Sequence, residues 1–520
     1  MPAVDRARVR ERLVQPIPGS RLWGWVGPLL VTAVAGVLRF WDLSRPKAFI
    51  FDETYYAKDA WSLLHFGVEQ DYIKAAKEGA PDPANAKILA GNLDGLWTGD
   101  PSYVVHPPGG KWVISIGEQL FGMTPFGWRF MVALTGTLAV LMVARIGRRL
   151  FRSTLLGCAA GLLLTVDGLA YVHSRTALLD PLVMFWALVA FGALVLDRDR
   201  ARARLADRLA GAQTGRFGPG LGLRPLRLLA GVALGMACAT KWSGLWFLAV
   251  FGLMTVLWDM GARRTAGVRR PWIGALVRDA APAFASIVVV AAVVYLASWT
   301  GWFLGGDDAY LRYWARDNPG PALVPDALWS LWHYHQEAWK FHTGLETFHP
   351  YRSNPWGWLL LARPVSYFYE GPKLGENGCD VEQCSQAITA LGTPAIWWAS
   401  VLALPVLVYL WAGRRDWRAG AILAGVVGGY LPWFLYQDRT IYSFYAVAFV
   451  PYLVLAVAMC LGLLIGGERS SPRRRQWGAA AAGAYLLLTV ANFGWLLPVL
   501  SAEVIPYAEW ASRMWWKSWI

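Results

Sequence analysis

The segment Phe51-Asp52-Glu53-Thr54-Tyr55-Tyr56 sets two carboxylates side by side directly after a long apolar run. A hydroxyl nucleophile must lose its proton as it attacks, and a carboxylate in a partly dehydrated cleft can accept it. Neighbours in sequence do not share a helix face. One acid of the pair is therefore expected to be the base, Asp52, with Glu53 orienting donor or acceptor and Tyr55 lining the acceptor side. The competing reading is a solvated helix start, where acids favour the dipole. A second motif, His106-Pro107-Pro108-Gly109-Gly110-Lys111-Trp112, precedes the next apolar run. Its prolines fix an extended approach and its glycines let the backbone come close to another group. A turn into an interfacial helix explains that pattern, and His106 on its wet side is expected to contact substrate.

Five further charged residues lie in or near apolar runs: Arg129 in GWRF, Arg175 and Asp180 in SRTALLDPL, Lys241 in CATKWSG and Arg439 in DRTIYSFY. A charge at the centre of a membrane helix costs about 2.5–3.5 kcal/mol on insertion scales and usually faces a cavity. Snorkelling to the headgroups is the bland alternative for each cation. Cations gathered at a membrane surface suit an anionic phosphate, which Arg holds by paired, charge-assisted hydrogen bonds. If a sugar leaves from that phosphate, the same cations stabilise the charge appearing on the leaving oxygen. No general acid is then needed, in contrast with glycoside hydrolysis, where two carboxylates flank the bond. One base with several cations describes transfer from a phosphate-linked donor.

Four histidines, His333, His335, His342 and His349, follow later, with Glu346 four residues after His342. Such a pair shares a helix face and is a conceivable metal ligand set, but histidines on an aromatic-rich interfacial helix more often pack or hydrogen-bond. No metal is expected, and His349 is grouped with the acceptor-side residues. No P-loop, dinucleotide fingerprint or tight zinc motif is present, so no soluble nucleotide cofactor is expected.

The elements that must position these groups are membrane helices. The chain has 520 residues, 56% of them hydrophobic and only 16% charged, against about 25% charged in a typical soluble domain. Many Trp residues, among them Trp23, Trp41, Trp299, Trp302 and Trp433, fall at the ends of apolar runs, as in interfacial belts. The net charge of +14 resides in short Arg-rich loops, with no soluble domain to form a nucleic-acid groove. Runs long enough to span centre on 24–41, 127–147, 154–172, 178–196, 281–303, 395–412, 419–436, 444–466 and 477–499. The apolar stretch 227–258 is interrupted by Lys241 and has Arg-rich flanks on both sides. Positive-inside parity makes it a hairpin with Lys241 at its outer tip.

The expectation is an all-α polytopic membrane protein of about eleven transmembrane segments. Its parts are a basic cytoplasmic tail over 1–22, a catalytic domain over 23–500 and an external tail over 501–520. Two external loops, about 43–126 and 304–394, hold the chemistry, and 326–345 reads as an interfacial amphipathic helix. The Arg-, Ala- and Gly-rich segment 200–225 reads as a mobile cytoplasmic linker. The first apolar run is long enough for a signal-anchor helix rather than a cleaved leader. Cys158, Cys238 and Cys460 sit in apolar runs as packing residues, whereas Cys379 and Cys384 share an external polar segment and are expected to form a disulfide.

Taken in order, FDETYYAKDAW, HPPGGKW, GWRF, SRTALLDPL, CATKWSG, FHTGLETFHPYRSNPWGW and DRTIYSFYAVAFVPY resemble the bacterial protein O-mannosyltransferases of the GT-C superfamily, especially the actinobacterial members. The resemblance runs over nearly the whole chain. It implies a polyprenyl-phosphate mannose donor, a secreted polypeptide acceptor emerging from the Sec translocon, inversion at the anomeric carbon, and an extracytoplasmic site in the plasma membrane. It further implies Asp52 as base, Glu53 as a site-lining acid, Arg129 as an important position, and Lys241, with Arg439, near the donor phosphate. Eukaryotic relatives insert a β-trefoil MIR domain in the central loop, for which 304–394 is too short. The rival readings are a GT-C transferase using the same donor on a lipid or glycan, and a transporter. A transporter predicts inverted repeats and midplane charges, whereas no internal repeat is evident here.

Overall fold

The computed structural model describes residues 6–75, 82–211 and 215–520. Residues 1–5 of the expected basic tail, 76–81 of the first loop and 212–214 of the expected linker lie outside the described residues. Among the described residues nine helices are long and apolar enough to cross a membrane. At the centre, Asp180–Gly211 and Ser443–Ile465 each bury 72% of their apolar window against other helices. The peripheral Pro271–Ser298, Pro394–Ala412 and Pro472–Leu500 bury only 22–28%. Their outward side chains, such as Leu402 and Leu487, stand exposed. Such surface is stable only against hydrocarbon, so the chain is a multi-pass membrane protein. Among the described residues six α-helices begin with Pro at the first position (83, 125, 225, 271, 394 and 472), where a missing N–H costs nothing.

The expected hairpin at Lys241 is present as Pro225–Thr240 and Gly244–Thr265. Lys241 itself is extended, and a Cβ at Gly244 would lie 2.5 Å from the Ala237 carbonyl carbon, so the tight return requires glycine. Two expected spans are corrected. The run 154–172 is broken into Thr154–Thr165 and Gly168–His173, because the Asp167 carboxylate caps the second piece at the Ala170 N–H (2.9 Å) and accepts from Trp397 Nε1 (2.7 Å). A short acidic side chain in mid-run ends one helix and caps the next. The run 281–303 begins earlier, at Pro271, and ends at Ser298. Its extra turns contain Asp279, whose charge is paired with Arg263 at 2.7 and 2.9 Å and so does not forbid the helix.

The 200–225 segment is not a free linker where it is described. Asp180–Gly211 continues through much of it as helix, and the Arg204 guanidinium donates to the carbonyls of Leu221 (2.9 Å) and Leu223 (2.7 Å). The segment 501–520 is ordered against the second large loop. Val504–Pro506 adds as the outer strand to the antiparallel pair Val365–Glu370 and Cys384–Ala390. Trp519 and Arg363 then tie the terminal residues to the second large loop. A second sheet, of two strands, pairs Gln70–Tyr72 with Trp97–Pro101 in the first large loop. These sheets lie outside an otherwise helical architecture. Cys379 and Cys384 are joined by a disulfide beside the Val365–Glu370 hairpin, and the helix expected over 326–345 spans Asp326–Gly344.

Candidate active site

Both large loops, the Lys241 tip and the 436–445 segment meet at one end of the bundle around a cavity of about 1850 Å³. Asp52 enters it from the turn that starts helix Glu53–Phe66. That turn is held from three sides. Phe51 adopts a left-handed φ of 49°, uncommon for a bulky residue, and its ring stacks on Tyr367 at 4.7 Å. Glu53 is fully buried and accepts from the Ile50 N–H and the Ala177 N–H, each at 2.9 Å. Arg129 completes the clamp, giving Nε and Nη2 to the two Glu53 oxygens at 2.9 and 2.8 Å. Its remaining donors go to the carbonyls of Leu43, Pro46 and Ala48.

Asp52 is thereby fixed next to the Tyr56 hydroxyl in a dehydrated corner. Burial pushes its carboxyl up to about 6, against the pull of the Lys241 charge, while Asp180 pushes it up further. A carboxylate poised near neutrality is the form suited to accept a proton at physiological pH. Lys241 faces it across the cavity. Its Nζ donates to both Asp180 oxygens at 3.0 Å and lies 4.3 Å from the Tyr445 ring centre. Arg439 also lines the cavity, and its buried Nε has no partner among the described residues. One ammonium held by a carboxylate and one guanidinium whose Nε has no partner among the described residues together suit a phosphate diester.

Of the residues singled out from sequence, Asp52, Tyr55, His106, Lys241 and Arg439 line this cavity. Asp180 stands behind Lys241 as its partner, and His349 lies one ring further out, edge-on to the lining Tyr442 at 5.2 Å. Three expectations of substrate contact do not fit. Glu53 and Arg129 are each fully enclosed, with their polar atoms used on one another and on backbone. Arg175 points its guanidinium at the carbonyls of Arg39 (2.8 Å), Trp41 (2.6 Å) and Asp42 (2.9 Å), capping the end of helix Trp23–Phe40. All three build the scaffold under Asp52, because carbonyls freed where a helix ends need donors. Other cavity residues escaped the sequence reading: Tyr56, one helical turn beyond Asp52, Trp242 beside Lys241, and Tyr442 with Tyr445 in the motif of Arg439. The i+4 spacing was a usable signal for Tyr56. Lys111 of the HPPGGK motif also reaches the cavity, but its Nζ is paired with Glu69 (2.5 Å) and Asp59 (3.4 Å).

No group of three or more His, Cys, Asp or Glu able to hold a metal occurs among the described residues. His342 uses one ring nitrogen on the Val105 carbonyl at 2.9 Å, and Glu346 is exposed.

Bundle, loops and cavity define a polytopic protein of the GT-C fold. The Saccharomyces cerevisiae protein O-mannosyltransferase Pmt1-Pmt2 complex bound to the sugar donor matches it with a TM-score of 0.69 at 15% identity, covering 98% of this chain and 94% of that one. The family model for dolichyl-phosphate-mannose-protein mannosyltransferase matches residues 29–300, and that for the C-terminal four-TMM region of protein-O-mannosyltransferase matches 328–519. A polyprenol-phosphate-mannose–protein mannosyltransferase of Mycolicibacterium smegmatis strain MKD8 is 40% identical over 96% of this chain and 94% of its own length. One of Mycobacterium tuberculosis strain CDC 1551 is 40% identical over 96% and 93%. The chain belongs to the protein O-mannosyltransferase family.

Proposed function

We propose that this enzyme transfers mannose, with inversion, from polyprenyl-phosphate mannose to Ser or Thr hydroxyls of proteins. The observation that carries the mechanism is the meeting of Asp52, Lys241 and Arg439 in one cavity. Asp52 takes the hydroxyl proton as the acceptor oxygen bonds to the anomeric carbon from the face opposite the phosphate. The bond from that carbon to the phosphate oxygen breaks, its electron pair stays on the phosphate, and Lys241 and Arg439 stabilise the resulting dianion. Asp180 holds Lys241 in place. Tyr55, exposed at the cavity wall, and His106 serve the acceptor and sugar side, with His349 behind Tyr442. The carrier's hydrocarbon fits the apolar limb formed by Leu245, Leu248, Val288, Ala291 and Leu296.

All eleven apolar segments cross the plasma membrane in this reading. Residues 1–22 then lie in the cytoplasm and 23–500 form the catalytic domain, with the cavity and 501–520 outside. The Arg-rich loops at the opposite end support that orientation. Acceptors are secreted polypeptides reaching the site from the Sec translocon while still extended.

The test is transfer in membranes from radiolabelled polyprenyl-phosphate mannose to a Ser/Thr-rich peptide. Label is expected on peptide with the wild type and lost with Asp52→Asn, donor binding being retained. Label on lipid alone would move the acceptor class to a lipid or glycan.

A further inference from the structure

Two aromatic walls connect the base to the phosphate cations. One starts beside Asp52 and runs through Tyr56, His106, His342 and Trp242, with successive ring centres 6.2, 5.0 and 5.8 Å apart. It ends at the residue adjoining Lys241. The other runs from Tyr442 through Phe444 to Tyr445, at 5.4 and 4.7 Å, and ends under the Lys241 ammonium. All of these rings line the cavity.

Attack opposite to the leaving phosphate requires the sugar ring to lie between Asp52 and the cations, which is the space these walls bound. Ring faces accept the C–H surface of a pyranose, but its hydroxyls lose water there and need polar partners. On the first wall the Trp242 N–H is already given to the Tyr295 oxygen at 3.1 Å, and the Tyr56 hydroxyl lies beside Asp52. The two imidazoles remain. His342 donates from Nε2 to the Val105 carbonyl at 2.9 Å, which fixes its tautomer and leaves Nδ1 as an unclaimed acceptor. His106, stacked on it with the planes 26° apart, has no hydrogen-bond partner among the described residues. Burial first, then the neighbouring cations, holds His106 well below the ordinary histidine range. Burial likewise brings His342 down to about 4, with Arg439 and Lys241 adding to the shift and the bond to Val105 opposing it. Both rings are thus neutral at physiological pH, so they add no competing charge beside the phosphate site and can accept a hydrogen bond from a hydroxyl.

We infer that the stacked pair His106 and His342 recognises the hydroxyls of the donor's hexose, making it the sugar-reading element of the cavity. This rests on the functional reading above, with the phosphate held elsewhere, at Lys241 and Arg439. The pair therefore contributes to binding of the glycosylated carrier and nothing to binding of the bare phosphate.

The experiment compares polyprenyl-phosphate mannose with polyprenyl phosphate as competing ligands for the full chain in lipid nanodiscs. His342→Phe keeps a ring in the stack but removes the acceptor. It is expected to weaken the mannosylated lipid about tenfold, the loss of roughly one hydrogen bond, with the bare phosphate unchanged. Because His342 also holds Val105, His106→Phe is measured in parallel and is expected to act the same way if the first variant fails to fold. Equal loss for both lipids, or none for either, overturns the inference. So does a wild type that binds the two lipids equally while transferring mannose normally. A wild type that transfers nothing from the mannosylated lipid instead overturns the functional reading itself.

Discussion

Arg129→Lys separates a scaffold from a phosphate ligand. Arg129 makes five hydrogen bonds, two to Glu53 and three to the carbonyls of Leu43, Pro46 and Ala48, all with its side chain fully buried. A lysine ammonium has three donors and cannot form the fork, so at least two of these acceptors lose their partner. Each buried polar group left unsatisfied costs about 1–3 kcal/mol, which gives roughly 2–6 kcal/mol. The expected loss is therefore about 2–6 kcal/mol in unfolding free energy, measured by SDS titration in mixed micelles. The turn carrying Asp52 hangs on Glu53, so kcat should fall as well. Donor affinity of the folded fraction should hold, because Arg129 does not reach the cavity. An Arg129→Lys enzyme of undiminished stability that binds polyprenyl-phosphate mannose markedly more weakly would refute this reasoning and return Arg129 to the phosphate.

Other outcomes follow from the cavity itself. A base must be deprotonated to act, and the Asp52 carboxyl lies near 6, so kcat/KM should rise with pH, level off above about 7 and fall about tenfold per pH unit well below 6. A flat profile from pH 5 to 8 would remove Asp52 as base. Lys241→Gln should raise the donor Kd at least tenfold, by loss of a charge-assisted contact, with little change in peptide KM in steady-state assays. Gly117→Ala would put a methyl group 2.3 Å from the Gly127 carbonyl oxygen in the neighbouring helix. That overlap should cost about 1–3 kcal/mol, seen as a lower thermal midpoint without any selective effect on donor binding.

Much of the frame was legible along the chain, for a physical reason. In hydrocarbon a helix must satisfy its own backbone, so span length and apolarity are local properties, and arginine parity alone split 227–258 at Lys241. The same locality explains the misses. Asp167 and Asp279 are stabilised by Trp397 and Arg263, partners far away in sequence or on another helix, so a window average misplaced the helix ends. The strand Val504–Pro506 exists because Cys384–Ala390 offers it an edge, a pairing that no local pattern records.

At the site, the residue types by themselves pointed to a carboxylate, a set of cations and the chemistry proposed for them. Which cation serves which purpose was a tertiary matter. Arg129, Arg175 and Arg439 look alike as single charges beside apolar runs. Folding directs the first to a buried carboxylate and backbone carbonyls, the second to a helix end, and leaves the Nε of the third, which lines the cavity, without a partner among the described residues. An arginine's role is set by which acceptors come within about 3 Å of its five donors, and that distance is fixed only when segments remote in sequence pack together.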